Sequence, residues 1–408
     1  MRVLLSTFGS RGDVQPVLAL AVELRALGVD ARVCAPADEE FKRLFEDAGV
    51  PLLPAFTAVR AWLADVMPRR ATLSLRDLAA RVMAAQYEAI DAAVNAFGDQ
   101  GCDVMLATGL FSSVVAARAV ADKRGMRYVH AAFCPFYLPS PHHRPLEYPG
   151  HPHPPGETSN ERLWERNIDA MNDVFGGSLN ALRASVGLPR VDNVRDHSLT
   201  EYPWLASDPV LAPWQQPATL NVLQTGAWIL RDERPLPADL ERFLDAGEPP
   251  VYVGFGSLPV PIGFARMAIE VIRAHGRRVL MSRGWADLAL IDDEADCFII
   301  GEVNQQALFL RVAAVIHHGG AGTTTAAALA GAPQVIVPQM GDQPYWADRV
   351  WDLGIGAAHD GPTPTAESLS TALASTLTSG TRARASAIAT QMQSDGALRA
   401  AKLLLQLA

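Results

Sequence analysis

The stretch AAVIHHGGAGTTTAAALAGAP (313–333) decides the reading of this chain. A short apolar run leads into two histidines, a glycine-rich turn and a small-residue helix. That order predicts a buried strand, a tight turn and a helix start. Gly319, Gly320 and Gly322 let the backbone approach a ligand with its amides outward. The helix N-terminus adds roughly half a positive charge, and Thr323 and Thr324 can cap the helix or offer hydroxyls to a phosphate. His318, at the strand end, can hydrogen-bond a phosphate oxygen. No Gly-Lys-Ser/Thr follows, so this is not a P-loop, and a nicotinamide-type GxGxxG after the first strand is also missing. Neighbours on a strand point to opposite faces, so His317 and His318 make a poor metal pair.

The same grammar repeats outward from there. VYVGFGS (251–257), RRVLMS (277–282), CFIIG (297–301) and PQVIVPQ (333–339) read as buried strands. Helices are expected over 264–276, 345–354 and 366–378. In the first half, VLLSTF (3–8), DARVCAP (30–36), DVMLATG (103–109) and YVHAAF (128–133) alternate with helical stretches at 16–28 and 114–125. Pro16 suits a first helical turn and Gly28 a stop. Strand–helix alternation favours parallel sheets with helices on both faces. The proline-rich stretch 209–228 predicts a linker between domains at 1–208 and 229–380. A helical tail over 381–408 is expected to pack back on a domain. CPFYLPSPHHRPLEYPGHPHPPG (134–156) cannot be a regular helix, because its prolines would break the ladder.

Bulk properties narrow the function. The chain has 408 residues, 49% hydrophobic and 19% charged, with a formal net charge of -9. An acidic chain lacks the Lys/Arg excess that non-specific nucleic-acid binding needs. Cys34, Cys102, Cys134 and Cys297 are scattered, so neither a disulfide framework nor a zinc site is indicated. No segment approaches the ~18 apolar residues of a membrane span, and the first residues read as a strand rather than a signal peptide. A cytoplasmic location is expected.

HHGGAGTT together with AGAPQVIVPQMGDQP (330–344) resembles the donor signature of family 1 glycosyltransferases, and STFGSRGDVQPVLALAVELRALG, LQTGAWILRDERPLP, PPVYVGFGSL, SRGWADL and GEVNQQALF extend the likeness. It is greatest to bacterial enzymes that decorate vancomycin-group glycopeptides. The resemblance implies a GT-B fold: two Rossmann-like doubly wound domains facing across a cleft. It implies that Ser257, His318, Gly319, Gly320, Gly322 and Thr323 contact the diphosphate of a nucleotide-sugar. Arg283, Trp285, Val303 and Gln305 would line the nucleoside, and Asp342 and Gln343 the sugar hydroxyls. A carboxylate–amide pair there suits a hydroxyl-rich sugar such as glucose, since a deoxy sugar would leave it unsatisfied.

The implied reaction is a single inverting displacement on a UDP- or TDP-sugar, with no metal and no cofactor. Many family members use a histidine in the first glycine loop as base; GSRGD (9–13) offers Asp13 with Ser10 instead, and the resemblance to the glycopeptide subgroup implies Asp13 as the base. The acidic run DDEAD (292–296) reads as a solvated turn rather than a metal site. His130 and the loop histidines His142, His143, His151 and His153 could chelate metal, but proline spacing favours an acceptor surface formed with Phe133, Phe136 and Tyr137. An aromatic or polycyclic aglycone is the expected partner, a glycopeptide first and a polyketide, macrolide or ansamycin otherwise, on a monomeric enzyme. Two rival readings are a sugar-nucleotide epimerase and an inactive auxiliary protein for another transferase. The long 134–156 loop argues against the first, and the intact sugar contacts argue against the second.

Overall fold

A computed structural model describes residues 1–69, 72–258, 260, 263–285 and 294–407. The chain forms two compact units. One comprises Met1–Ser207, Pro213–Leu230 and Gln393–Ala408; the other comprises Asp208–Ala212 and Arg231–Met392.

The first unit is built on a parallel sheet of β1 (Arg2–Phe8), β2 (Asp30–Ala35), β3 (Leu52–Pro54), β4 (Val104–Gly109), β5 (Arg127–Ala132), β6 (Trp204–Leu205) and β7 (Leu223–Gln224). Their spatial order is β3-β2-β1-β4-β5-β6-β7. The apolar runs of β1 and β4 are buried on both faces, as a covered parallel sheet requires. The long helix Leu75–Asn95 seals one face with Ala79, Met83, Ile90 and Val94 against Leu4, Phe8 and Met105.

The second unit repeats the design with β8 (Val251–Gly254), β9 (Val279–Ser282), β10 (Cys297–Ile300), β11 (Ala314–His317), β12 (Gln334–Ile336) and β13 (Gly356–Ala358). Their order is β10-β9-β8-β11-β12-β13, again all parallel. In both sheets the chain winds outward in one direction and then restarts on the other side of its first strand. The crevices between the ends of β1 and β4, and of β8 and β11, are therefore topological switch points, where such sheets bind ligands.

Three expectations need correction. The helix after β1 starts at Arg11, not near Pro16, with extended Ser10 as its N-cap. Pro16 falls in the second turn, where its missing N–H forfeits one bond to the exposed Gly12. The stretch 209–228 is more than a connector, because Leu223–Gln224 pairs in parallel with Trp204–Leu205 as β7. The tail is not one helix. Ser379–Ala389 belongs to the second unit, and Gly396–Leu405 packs in the first, against helix Arg11–Ala26. A close contact of Gly396 with Gly226 seats that last helix: a Cβ on Gly396 would lie 2.4 Å from the backbone there. No helix among the described residues is long and apolar enough to cross a membrane.

Candidate active site

The second unit gathers its candidate residues at the switch point. β11 ends in His317, and the helix Ala321–Leu329 starts four residues later from Gly320, whose cap position carries no side-chain hydrogen bond. The backbone N–H groups of residues 320–323 have no partner among the described residues. Four adjacent donors at the positive end of a helix form an anion seat. Thr324 does not add to it, because its hydroxyl donates to the Gly320 carbonyl at 2.9 Å. Gly319 does not offer its amide either. That N–H donates to Nδ1 of His317 at 3.1 Å. The expected diphosphate contact at Gly319 is thus limited to close backbone approach, with its φ of +90° reserved for glycine.

His318 stands beside the seat. Its Nδ1 is buried without a partner, while the residue as a whole stays partly exposed. Burial pushes its pKa down to about 4, so the ring is neutral near pH 7. A buried N–H without an acceptor is the rarer defect, so the proton belongs on Nε2. Nε2 faces the helix start: a Cβ on Gly320 would fall 2.6 Å from it. The ring edge lies against Gly256, whose Cβ position is 3.4 Å from Cε1 of His318.

Gly256 brings in the loops after β8 and β9. Gly256 and Gly284 both have positive φ, 58° and 55°, and a Cβ on Gly284 would lie 2.6 Å from the Gly256 carbonyl. That carbonyl accepts the Trp285 N–H at 2.8 Å. Ser257, Arg283 and Trp285 are thereby carried on one pair of interlocked turns. Gln305 opens the helix Gln305–Leu308 and donates through Nε2 to the Tyr252 hydroxyl at 3.3 Å, while Val303 packs on the core below.

Asp342 and Gln343 start the helix after β12, Gln343–Asp352. The turn at Gly319 touches Gln343, since its Cβ position is 3.2 Å from the Gln343 carbonyl. Gln343 is only 7% exposed, and its Oε1 accepts the N–H groups of Gln339 and Met340 at 2.7 and 3.0 Å. Its Nε2 is the atom left for a ligand. Asp342 accepts the Trp346 indole N–H through Oδ2 at 2.8 Å. Asp292 and Asp293 of the acidic run lie outside the described residues. Among those described, no cluster of three or more His, Cys, Asp or Glu could hold a metal ion.

The first unit holds the candidate base at its own switch point. Asp13 is the third residue of helix Arg11–Ala26, so the helix end favours its negative charge. Its carboxylate lies over Gly9, whose Cβ position is 2.0 Å from Oδ2 of Asp13. Ser10 caps the same turn without a side-chain bond.

The candidate acceptor residues separate. Phe136 meets Tyr137 and His143 at ring distances of 5.3 and 6.3 Å, and Tyr137 is 45% exposed. Phe133 packs edge-on against Trp228. His130 does not belong to a surface: it is buried within β5, with its pKa lowered by burial to about 4. The loop histidines each have a separate partner, His142 with the Pro217 carbonyl, His143 with the Leu138 carbonyl, His151 with Asp173 and His153 with Glu147. The sequence did not single out Phe56 and Leu110. These large apolar side chains, each more than a third exposed, follow β3 and β4 on the edge that carries Asp13.

Residues 3–134 match the model of the glycosyltransferase family 28 N-terminal domain, and residues 289–400 match the erythromycin biosynthesis protein CIII-like C-terminal domain. Glycosyltransferase GtfE of Amycolatopsis orientalis is 54% identical over 405 residues, 99% of this chain and 97% of that protein. The chain belongs to the vancomycin-group glycosyltransferases. Within this family the vancomycin aglycone glucosyltransferase is 53% identical over 411 residues, and dTDP-epi-vancosaminyltransferase 45% over 395, both from the same organism. These alignments cover 99% and 95% of this chain, and 97% and 93% of those proteins. The glycotransferase of kitacinnamycin shares the fold at a TM-score of 0.73 and 21% identity, over 100% of this chain and 98% of that one. The protein is a GT-B, nucleotide-sugar-dependent glycosyltransferase.

Proposed function

We propose that this glycosyltransferase moves glucose from UDP-glucose or TDP-glucose to a hydroxyl of a natural-product aglycone, a glycopeptide in the first instance, with inversion at the anomeric carbon. The observation that carries the donor half is the set of unpaired amides at 320–323 beside a neutral His318. As the glycosidic bond to the diphosphate breaks, negative charge grows on the leaving oxygen. Fixed amides and the Nε2–H of His318 stabilise it without reorganising and without a metal. Asp13 takes the acceptor proton as the acceptor oxygen attacks, and Ser10 lines the same turn. A carboxylate fits an acidic phenol better than an aliphatic alcohol. The glucose reading rests on the polar pair Asp342 and Gln343, and the glycopeptide reading on the near-full-length similarity to the vancomycin aglycone glucosyltransferase.

The test is transfer from both glucose donors to a vancomycin-type aglycone and to a polyketide aglycone, followed by mass spectrometry. A mass gain of one hexose on the glycopeptide, with a β-linkage from the α-donor, is expected. Transfer only to the polyketide would overturn the acceptor assignment, and absence of transfer from either glucose donor would overturn the sugar.

A further inference from the structure

Among the polar side chains that the mechanism leaves unused, His317 and Gln334 are the best defined. Both are fully buried, at 0% exposure, on the adjacent strands β11 and β12. Nε2 of Gln334 donates to the Thr324 carbonyl at 3.3 Å, which turns Oε1 toward His317. That Oε1 is 2.9 Å from Nε2 of His317 and can only accept, so the imidazole carries its proton on Nε2. Nδ1 is then a bare acceptor, and the Gly319 N–H donates to it. Thr324 closes the circuit, because its hydroxyl donates to the Gly320 carbonyl. Four bonds thus tie two strands and a helix around one glycine turn.

We propose that His317 and Gln334 are positioning residues for the donor: together they lock the turn 318–320 so that the amides of 320–323 and the ring of His318 are aimed before any ligand arrives. This rests on the donor reading above and adds its supporting layer. A turn of glycines is the costliest backbone to order. Left loose, it would have to be frozen by the diphosphate at the expense of affinity. Gln334 sets which ring nitrogen is bare, and the bare nitrogen holds Gly319. Burial suits the role, since it holds the imidazole neutral, with its pKa pushed down to about 3, and keeps Nδ1 an acceptor at working pH.

The test uses a matched pair, His317→Asn and His317→Leu, titrated by calorimetry with UDP-glucose and with TDP-glucose. The two replacements leave similar space where the ring was. Asn alone keeps a short acceptor for an N–H two residues on, as in an Asx turn. The expected result is that His317→Asn binds the donor within about threefold of wild type and His317→Leu about tenfold more weakly, although the Leu form melts no lower than the Asn form. Gln334→Met keeps His317 and the chain volume but frees the ring proton; it is also expected to weaken the donor about tenfold. Equal affinity in the two His317 variants, or wild-type affinity in Gln334→Met, overturns the proposal. If the wild-type chain binds neither donor, the failure lies with the donor reading instead.

Discussion

Asp13 and His318 are proposed for opposite jobs, base and donor contact, and single substitutions should separate them. Asp13 lies on Gly9, the residue after β1, where a Cβ would overlap its carboxylate. Asp13→Asn removes the base and leaves the donor seat untouched. Turnover should drop at least about a hundredfold, the usual worth of a general base, while donor affinity measured by calorimetry stays within about threefold. Gly9→Ala should reproduce much of that loss in turnover, because its methyl must push the carboxylate aside. Turnover unchanged in both variants would remove Asp13 from the chemistry. His318→Ala should act the other way, weakening both glucose donors about tenfold or more through a lost hydrogen bond to a charged oxygen. His318 was legible because paired histidines before paired glycines are rare. Gln334 left only one trace, a polar residue in the apolar run PQVIVP, and nothing local told that its partner was His317.

At the scale of elements, the glycines decide. Gly320 has an ordinary φ of -63°, so Ala fits its backbone, but the new methyl would meet Nε2 of His318 at 2.6 Å. Gly320→Ala should therefore fold normally, with a melting temperature near wild type, yet lose donor affinity about as His318→Ala does. Retained affinity at an unchanged ring position, read from the histidine NMR signals on donor titration, would count against the seat. The strand–turn–helix order of both units was readable from apolar runs and glycine stops. Helix Leu75–Asn95 was not: its sequence carries no feature of the donor signature, and only the long-range sheet contacts reveal its role. Nor was the start of helix Arg11–Ala26, because Pro16 looks like a first-turn residue while Ser10 had already opened the helix. The pairing of Gly256 with Gly284 was equally hidden, since it joins turns from two different strands. Such failures share a cause. Local chemistry marks where the chain bends, and tertiary contact decides what each bend touches.

For the whole molecule, buried imidazoles should set the pH response. His130 in the first unit, and His317 and His318 in the second, are held by burial at pKa values of about 4, 3 and 4. In the unfolded chain each returns to the ordinary value near 6.5. Between the two values the unfolded state binds more protons, so stability is complete above about pH 6.5 and falls as the pH drops toward 4. By pH 5 the loss is on the order of 1–2 kcal/mol per imidazole, twice as many falling on the second unit as on the first. Carboxylates respond in a lower window. Burial alone would raise Asp122, but hydrogen bonds from His197 and Arg183, with Arg118 nearby, bring it down to about 2. Its contribution is present above about pH 3.9 and lost only as the pH approaches 2. Scanning calorimetry from pH 7.5 to 5 should then show a falling melting temperature, with about one further proton taken up on unfolding for each of the three imidazoles. His318→Ala should flatten that slope by roughly a third of the three-imidazole share, even though it weakens the donor. A melting temperature independent of pH across this range would mean that these rings are hydrated in the folded protein, and the lowered pKa of His318 beside the helix start would fall with it.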